Sequence, residues 1–498
     1  MSSPDPAQTV AALDLGSNSF HMIVARVHEG HVHVLDRLKE TVRLAGGLDE
    51  HHRVTREAEA RALGCLERFG QRIRDLHAGS VRAVGTNTLR KARNADRFLP
   101  AATAALGHPI EVIGGREEAR LIYLGVAHSV AEEGTPRLVV DIGGGSTELI
   151  LGQHFEPVEM ESLHMGCVTM TQAYFGDGRI SRQRWHEADT AARLELRPIE
   201  QRYRSAGWST AVGASGTVLA VERVVREMGW SAAGITREAL QRLRDTMIDA
   251  GQLRRLKLAG LSKERLPVFP GGVAVLLAVF ESLGIERMGV AEGALREGLI
   301  YDLVGRIQDE DLRDRTIEGL GRRFQIDRPH MARVERTASM LFGRLRDRWG
   351  LEDGDADLLS WAARVHEIGL LLSHSQYHKH GAYILANSDL PGFSRQVQQI
   401  LAVLVRAHRR KFPLKAVREL PPDRQQKVMH LAMILRLAVL LCRSRVDESI
   451  PLEAASPIEG GMALTFEPGW LDVQPLTQAD LEQERERLAT VGLRLRFR

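Results

Sequence analysis

The segment VAALDLGSNSFHMIVARV, from Val10, can be laid over RLVVDIGGGSTELILGQH, from Arg137, and the overlay pairs Asp14 with Asp141, Gly16 with Gly143 and Ser19 with Ser146. In each copy an apolar run enters a short Gly/Ser turn and a second apolar run leaves it. That is the pattern of a β-hairpin with an acid at the turn entrance. A repeated supersecondary unit narrows the fold more than a single motif does. Two such hairpins are expected to face each other across a cleft.

The surroundings of the two copies extend the repeat. TVAALDL, FHMIVARV, a helix-like stretch from Thr55 to Leu76 and SVRAVGT alternate in an α/β pattern, and a second α/β block runs from about Arg137 to Tyr301 with RLVVDIG, TELILG, STAVGA and ERMGVAEG as strands. After Asp302 strand signals nearly vanish and amphipathic helices follow, as in HMARVERTASMLFGRLRDRWG and LLSWAARVHEIGLLLS. From about Ser444 the prolines Pro451, Pro457, Pro468 and Pro475 punctuate short alternating runs, which read as a small α+β or mainly β tail. The expected division is 1–124 and 125–303 for the two α/β halves, 304–443 for a helical domain and 444–498 for the tail. A chain of 498 residues is also too long for one hydrophobic core.

Composition excludes several classes. With 44% hydrophobic and 26% charged residues the chain is neither disordered nor fibrous. Cys65, Cys167 and Cys442 lie far apart with no paired spacing, so reduced, buried thiols are expected rather than disulfides or a zinc cluster. A net charge of +3 does not call for nucleic acid. The segment MSSPDPAQTV lacks the basic and apolar regions of a signal peptide, and no run of about 18 uninterrupted apolar residues is found, so a cytoplasmic protein without a transmembrane segment is expected.

Gly/Ser turns let backbone N–H groups approach a phosphate closely. Ser17, Asn18 and Ser19 supply such donors in one turn, and Gly143, Gly144, Gly145 and Ser146 in the other. Asp14 and Asp141 end buried-looking strands, where an isolated carboxylate is costly unless it meets a cation or good donors. With Glu148 they form a hard-oxygen set suited to Mg²⁺ or Mn²⁺, although Glu148 alone reads equally well as a turn-capping acid. In GREEARLIYLGV, Glu117 and Glu118 open a helical pattern. One of them is expected only to complement the helix N-terminus, while the other could orient the water that attacks a phosphoanhydride. Thr86 and Arg90 in VGTNTLRKARN form a polar, basic helix start suited to an anion. The turn GASGT, with Gly213 and Ser215, is a third Gly/Ser turn at a strand-to-helix junction.

AALDLGSNSFHMIVARV, VGTNTLRKARN, GREEARLIYLGV, VVDIGGGSTELILG, ESLHMGCV, VGASGT and EGALREGLIYDL together resemble the exopolyphosphatase/guanosine pentaphosphate phosphohydrolase (Ppx/GppA) family, in order across residues 11 to 301. The resemblance implies an acetate-and-sugar-kinase/Hsc70/actin type (ASKHA, ribonuclease H-like) fold for the first two domains, with substrate between them. By the same resemblance Glu118 matches the catalytic glutamate, and Asp14 with Ser17, Asn18 and Ser19 matches the first phosphate loop. Asp141 with Gly143 to Ser146 matches the second loop, Arg90 a substrate contact, and Glu148 an acid near the metal. It further implies a monovalent cation such as K⁺ beside Mg²⁺ or Mn²⁺, a homodimer, and peripheral association with the inner membrane face.

The third domain looks like an HD-type helical domain in which His366-Glu367 replaces the His-Asp pair, with His378, His380 and His408 nearby. That replacement makes a structural role the expected one for His366. Arg406, Arg409, Arg410 and Lys411 in RAHRRKF could instead guide a long polyanion. The expected activity is metal-dependent, processive release of the terminal phosphate of inorganic polyphosphate, with guanosine pentaphosphate as the alternative substrate. A sugar or acetate kinase on the same fold and a non-catalytic polyphosphate-binding scaffold or nucleotide switch are the rival classes.

Overall fold

Val10 to Leu13 are completely buried, apolar on both faces of one strand, because that strand is central. In the computed structural model, which describes residues 8–28, 31–130, 135–307, 312–388, 390–446 and 450–498, this strand is β1, Gln8–Leu15. It pairs antiparallel with β2, Ser19–His28, and parallel with β4, Val81–Gly85. With β3, His31–Thr41, and β5, Ile110–Val112, the first sheet has the order β3-β2-β1-β4-β5.

A second sheet repeats this plan. Strands β6, Arg137–Ile142, β7, Thr147–Gln153, β8, Glu156–Leu163, β9, Thr210–Ala214, β10, Ile235–Thr236, and β11, Arg287–Val290, are ordered β10-β11-β9-β6-β7-β8. Reading β8-β7-β6-β9-β11 beside β3-β2-β1-β4-β5, the antiparallel and parallel pairings correspond strand for strand. The two hairpins close in the same register, with Leu15 opposite Phe20 and Ile142 opposite Thr147.

The helices Arg56–Ile73 and Ala95–Leu106 cover one face of the first sheet, and Arg182–Ala206 with Phe269–Leu283 cover the second. The segment Leu266–Leu283 is long and apolar enough to cross a membrane by composition, but 78% of it is buried inside the protein. Between the sheets lie Gly115–Ser129 and Leu295–Ile307, whose apolar residues share one core with Val10 and Ala12 of the first sheet and Val139 and Val212 of the second. Each leaves its own sheet for the other: Gly115–Ser129 packs on β7 and β8, and Leu295–Ile307 on β1, β2 and β4. Positions 124/125 and 303/304 therefore lie inside helices that tie the halves together.

These two helices approach too closely for side chains. A Cβ on Gly298 would stand 1.8 Å from the Leu121 carbonyl oxygen, and one on Gly125 2.0 Å from that of Ala294. A buried ion cluster flanks the contact: Asp302 binds both Arg82 and Arg120, and Arg120 Nε and Nη2 each donate to Glu117 at 2.8 Å.

The chain divides into two compact units at 310/311. The second is built of helices, chiefly Leu312–Arg323, Arg328–Trp349, Asp353–Val365, Tyr377–Asn387, Arg395–Ala407 and Pro422–Leu441. A three-stranded sheet follows, β12, Leu452–Ile458, β13, Gly461–Phe466, and β14, Arg494–Phe497, with the helix Pro475–Ala489. Its strands share one apolar cluster with the helices, so the tail is α+β and has no separate core. Cys65, Cys167 and Cys442 are free and buried.

Candidate active site

The two hairpin turns meet. A Cβ on Gly144 would lie 2.8 Å from Ser17 Cβ, and one on Gly145 2.7 Å from Asn87 Oδ1, so only glycine lets the second loop come this near the first. Backbone bonds fix both loops from behind. Asn18 O accepts from Val42 and Arg43 N–H, Ser17 O from Ala45 N–H, Gly143 O from Cys167 N–H, and Gly144 O from Val168 and Thr169 N–H. These carbonyls are thereby engaged, and Gly143 N–H itself donates to Ser146 O across the turn. Thr88 Oγ1 donates to Ser17 Oγ at 2.8 Å, which holds the first loop against the short helix Asn87–Lys91 that follows β4.

The resulting cleft has a volume of about 310 Å³. Asp14, Ser17, Asn18, Ser19, Thr86, Glu118, Asp141, Gly143 to Ser146 and Ser215, all singled out in the sequence, line it. Glu118 sits in the first turn of Gly115–Ser129, where Arg90 Nη1 donates to its Oε2 at 2.6 Å and to Ile113 O at 3.0 Å. Arg90 thus orients the carboxylate rather than lining the cleft. Glu117, one residue earlier, faces Arg120 and Arg82 instead.

Like Arg90, two more expected residues stand outside the lining. Gly213 lies within β9, where a Cβ would come 2.3 Å from Val218 Cγ1 and 2.8 Å from Met288 Sδ; its role is close packing, and Ser215 and Gly216 take the cleft position. Glu148 is buried behind the lining, opposite Asp141 across β6 and β7, and accepts from Ser162 Oγ at 2.8 Å. The residues Arg406, Arg410 and Lys411 are exposed on the second unit, and the Arg409 guanidinium lies 4.5 Å from the Tyr377 ring centroid.

Burial raises the Asp14 and Asp141 carboxyls to about 7 each; Glu118 adds to the shift in both, and Ser215 opposes it at Asp141. Burial, then Glu118 and Asp141, push Glu148 well above the carboxylate range. Asp14 Oδ1 is buried with no hydrogen-bond partner. An orphaned carboxylate oxygen among acids that repel one another fits a hard divalent cation with oxygen ligands.

Cations from distant segments also reach the cleft: Lys39 from β3, Arg265 before Phe269–Leu283, and Arg296 at the start of Leu295–Ile307. Arg296 Nη1 lies 3.1 Å from His21 Nδ1. A guanidinium only donates, so this nitrogen accepts and the imidazole is neutral; burial, then Arg296, lowers the His21 pKa to about 3.

Residues 23–307 match the Ppx/GppA phosphatase family, and residues 312–485 match its domain III. The chain belongs to the Ppx/GppA phosphatase family. Relatives named guanosine-5'-triphosphate,3'-diphosphate pyrophosphatase are similar throughout: that of Aeromonas hydrophila is 44% identical, and that of Aeromonas salmonicida 43%, each over 97% of both chains. Among solved structures, an exopolyphosphatase from Cytophaga hutchinsonii is 25% identical with a TM-score of 0.54, covering 60% of this chain and 98% of that one. An exopolyphosphatase-like protein is 26% identical with a TM-score of 0.55, covering 61% and 100%.

Within this Ppx/GppA chain His21 carried a signal that the sequence reading passed over. The overlay of hairpins puts it at the place of Glu148, directly opposite Asp14 as Glu148 is opposite Asp141. Arg296 lay in the quoted run EGALREGLIYDL without a role, whereas Lys39 and Arg265 stand in segments with no motif at all.

Proposed function

We propose that this family member hydrolyses the terminal 5'-phosphoanhydride of guanosine pentaphosphate on an actin-like core, releasing orthophosphate and guanosine tetraphosphate. The observation that carries the hydrolytic part is Glu118, held by Arg90 in a cleft between two donor-bearing loops. Similarity along nearly the whole chain to the Aeromonas proteins supports the guanosine substrate over the polyphosphate preference drawn from the sequence.

In this reading the amides of the Ser17–Ser19 and Gly144–Ser146 segments hold the terminal phosphate, and Lys39, Arg265 and Arg296 meet charge further along the substrate. Glu118 orients a water in line with the bridging oxygen and accepts its proton as the new P–O bond forms and the bridging P–O bond breaks. Asp14 and Asp141, backed by Glu148, would hold Mg²⁺ or Mn²⁺, which when bound offsets charge on the phosphate oxygens.

Polyphosphate is the second reading, supported by the likeness to the exopolyphosphatase structures and by the same terminal phosphoanhydride. Purified protein with Mg²⁺, given each substrate separately without an acceptor, is expected to release phosphate faster from guanosine pentaphosphate. Faster release from polyphosphate would reverse the substrate order, and no release from either would remove the hydrolase reading. Glu118→Gln is expected to lower kcat about 100-fold or more while leaving substrate binding largely intact. Near-normal turnover by that variant would exclude Glu118 as the base.

A further inference from the structure

Several helix ends converge inside the second unit. His330 lies in the first turn of Arg328–Trp349, His366 and Glu367 follow Asp353–Val365, and His408 follows Arg395–Ala407. One ligand atom from each of His330, His366 and Glu367 lies within 4.8 Å of the others, and all three residues are buried. The His366 and His408 rings are 5.4 Å apart between centroids.

The hydrogen bonds of these rings leave lone pairs pointing inward. His366 Nδ1 is 2.7 Å from Ala363 O, and His408 Nδ1 is 2.5 Å from Val405 O. A carbonyl only accepts, so each Nδ1 carries the proton and each Nε2 keeps a lone pair, the arrangement in which a backbone carbonyl orients a metal-binding imidazole. His366 Nε2, His408 Nε2 and His330 Nδ1 are all buried without a hydrogen-bond partner. The nitrogen that His330 turns to the cluster is Nε2, 3.9 Å from Glu367 Oε1, and the buried, orphaned Nε2 atoms of His366 and His408 are costly unless something binds them.

We propose that His330, His366 and Glu367 form a binding site for one divalent first-row transition-metal ion, with His408 beside it. Two imidazoles and a carboxylate without thiolate suit Zn²⁺, Fe²⁺ or Mn²⁺ and differ from the all-oxygen set of the cleft. Ligand atoms on one tetrahedral ion lie about 3.4 Å apart, so the triad, in which His330 Nε2 is 3.9 Å from Glu367 Oε1, needs to close by at most about 1.4 Å. The side chain of Arg445, 43% exposed, binds Glu367 on one side and Asp327 Oδ2 at 2.7 Å on the other. Arg445 therefore steadies the carboxylate and also opposes a cation at it.

The test uses full-length protein stripped with chelator and titrated with Co²⁺. One equivalent, beside any held by the cleft acids, is expected to bind with a visible d–d absorption that Zn²⁺ bleaches, that His366→Gln lacks and that Asp141→Asn in the cleft retains. Arg445→Met, which leaves every ligand in place, is expected to bind Co²⁺ about tenfold more tightly. No band in the wild type, a band that survives His366→Gln, or a band lost with Asp141→Asn would overturn the site. Should circular dichroism show His366→Gln unfolded, Arg445→Met decides alone: affinity unchanged or weaker overturns the proposal.

Discussion

At the scale of single residues the cleft concentrates more negative charge than its exposure to water supports. Asp14 and Asp141 titrate near 7 in the folded protein against an ordinary 3.8, so the folded state binds these protons more tightly than the unfolded chain. Their contribution to stability is complete below about pH 4 and is lost as pH rises through about 7. Buried His366 and His408 are held below their ordinary value and act in the opposite sense, losing their contribution as pH falls below about 6.5. A comparison isolates the carboxylates: in chelator, the stability of Asp14→Asn/Asp141→Asn relative to the wild type is expected to grow from about pH 5 to pH 8, and added Mg²⁺ to stabilise the wild type alone. A difference that stays constant with pH in thermal melts would refute this account. The two acids were legible because the duplication singled them out. Helical patterning did not separate Glu117 from Glu118, and the family resemblance alone singled out Glu118, since adjacent helical positions differ only in what faces them, here Arg120 for one and Arg90 for the other.

At the scale of elements the decisive contact is the crossing of Gly115–Ser129 with Leu295–Ile307, because it sets Glu118 and Arg296 in one cleft. Gly298→Ala would put a methyl group 1.8 Å from a backbone oxygen, which cannot move without shifting its helix. A loss of about 1–3 kcal/mol is expected in urea unfolding, with lowered kcat as Glu118 is displaced. Unchanged stability would mean that the helices separate freely and that their close approach does not build the site. Hairpins, helices and most strands were readable from apolar periodicity. The exchange of these two helices between sheets was not, because periodicity reports that a face is buried and not against which partner.

At the scale of the molecule the chain carries the acid-lined cleft in one unit and an exposed basic run in the other. Each phosphate of polyphosphate bears roughly one negative charge, so weak contacts with Arg406, Arg409, Arg410 and Lys411 would sum along a long chain and weaken with salt. Neutralising all four is expected to raise KM for long polyphosphate several-fold at low salt while sparing short oligophosphates and guanosine pentaphosphate. Equal effects on long and short substrates at two salt concentrations would show that the run is not a polyanion track. What the sequence determined alone is local and repeated: two strand–turn–strand units, an acid at each turn, Gly and Ser within both turns, and a change from α/β to helical texture. Tertiary structure decided what depends on distant segments meeting. Lys39, Arg265 and Arg296 gather around Asp14 and Asp141, and His330 comes to His366, because packing of apolar faces brings together positions whose polar side chains leave no periodic trace along the chain.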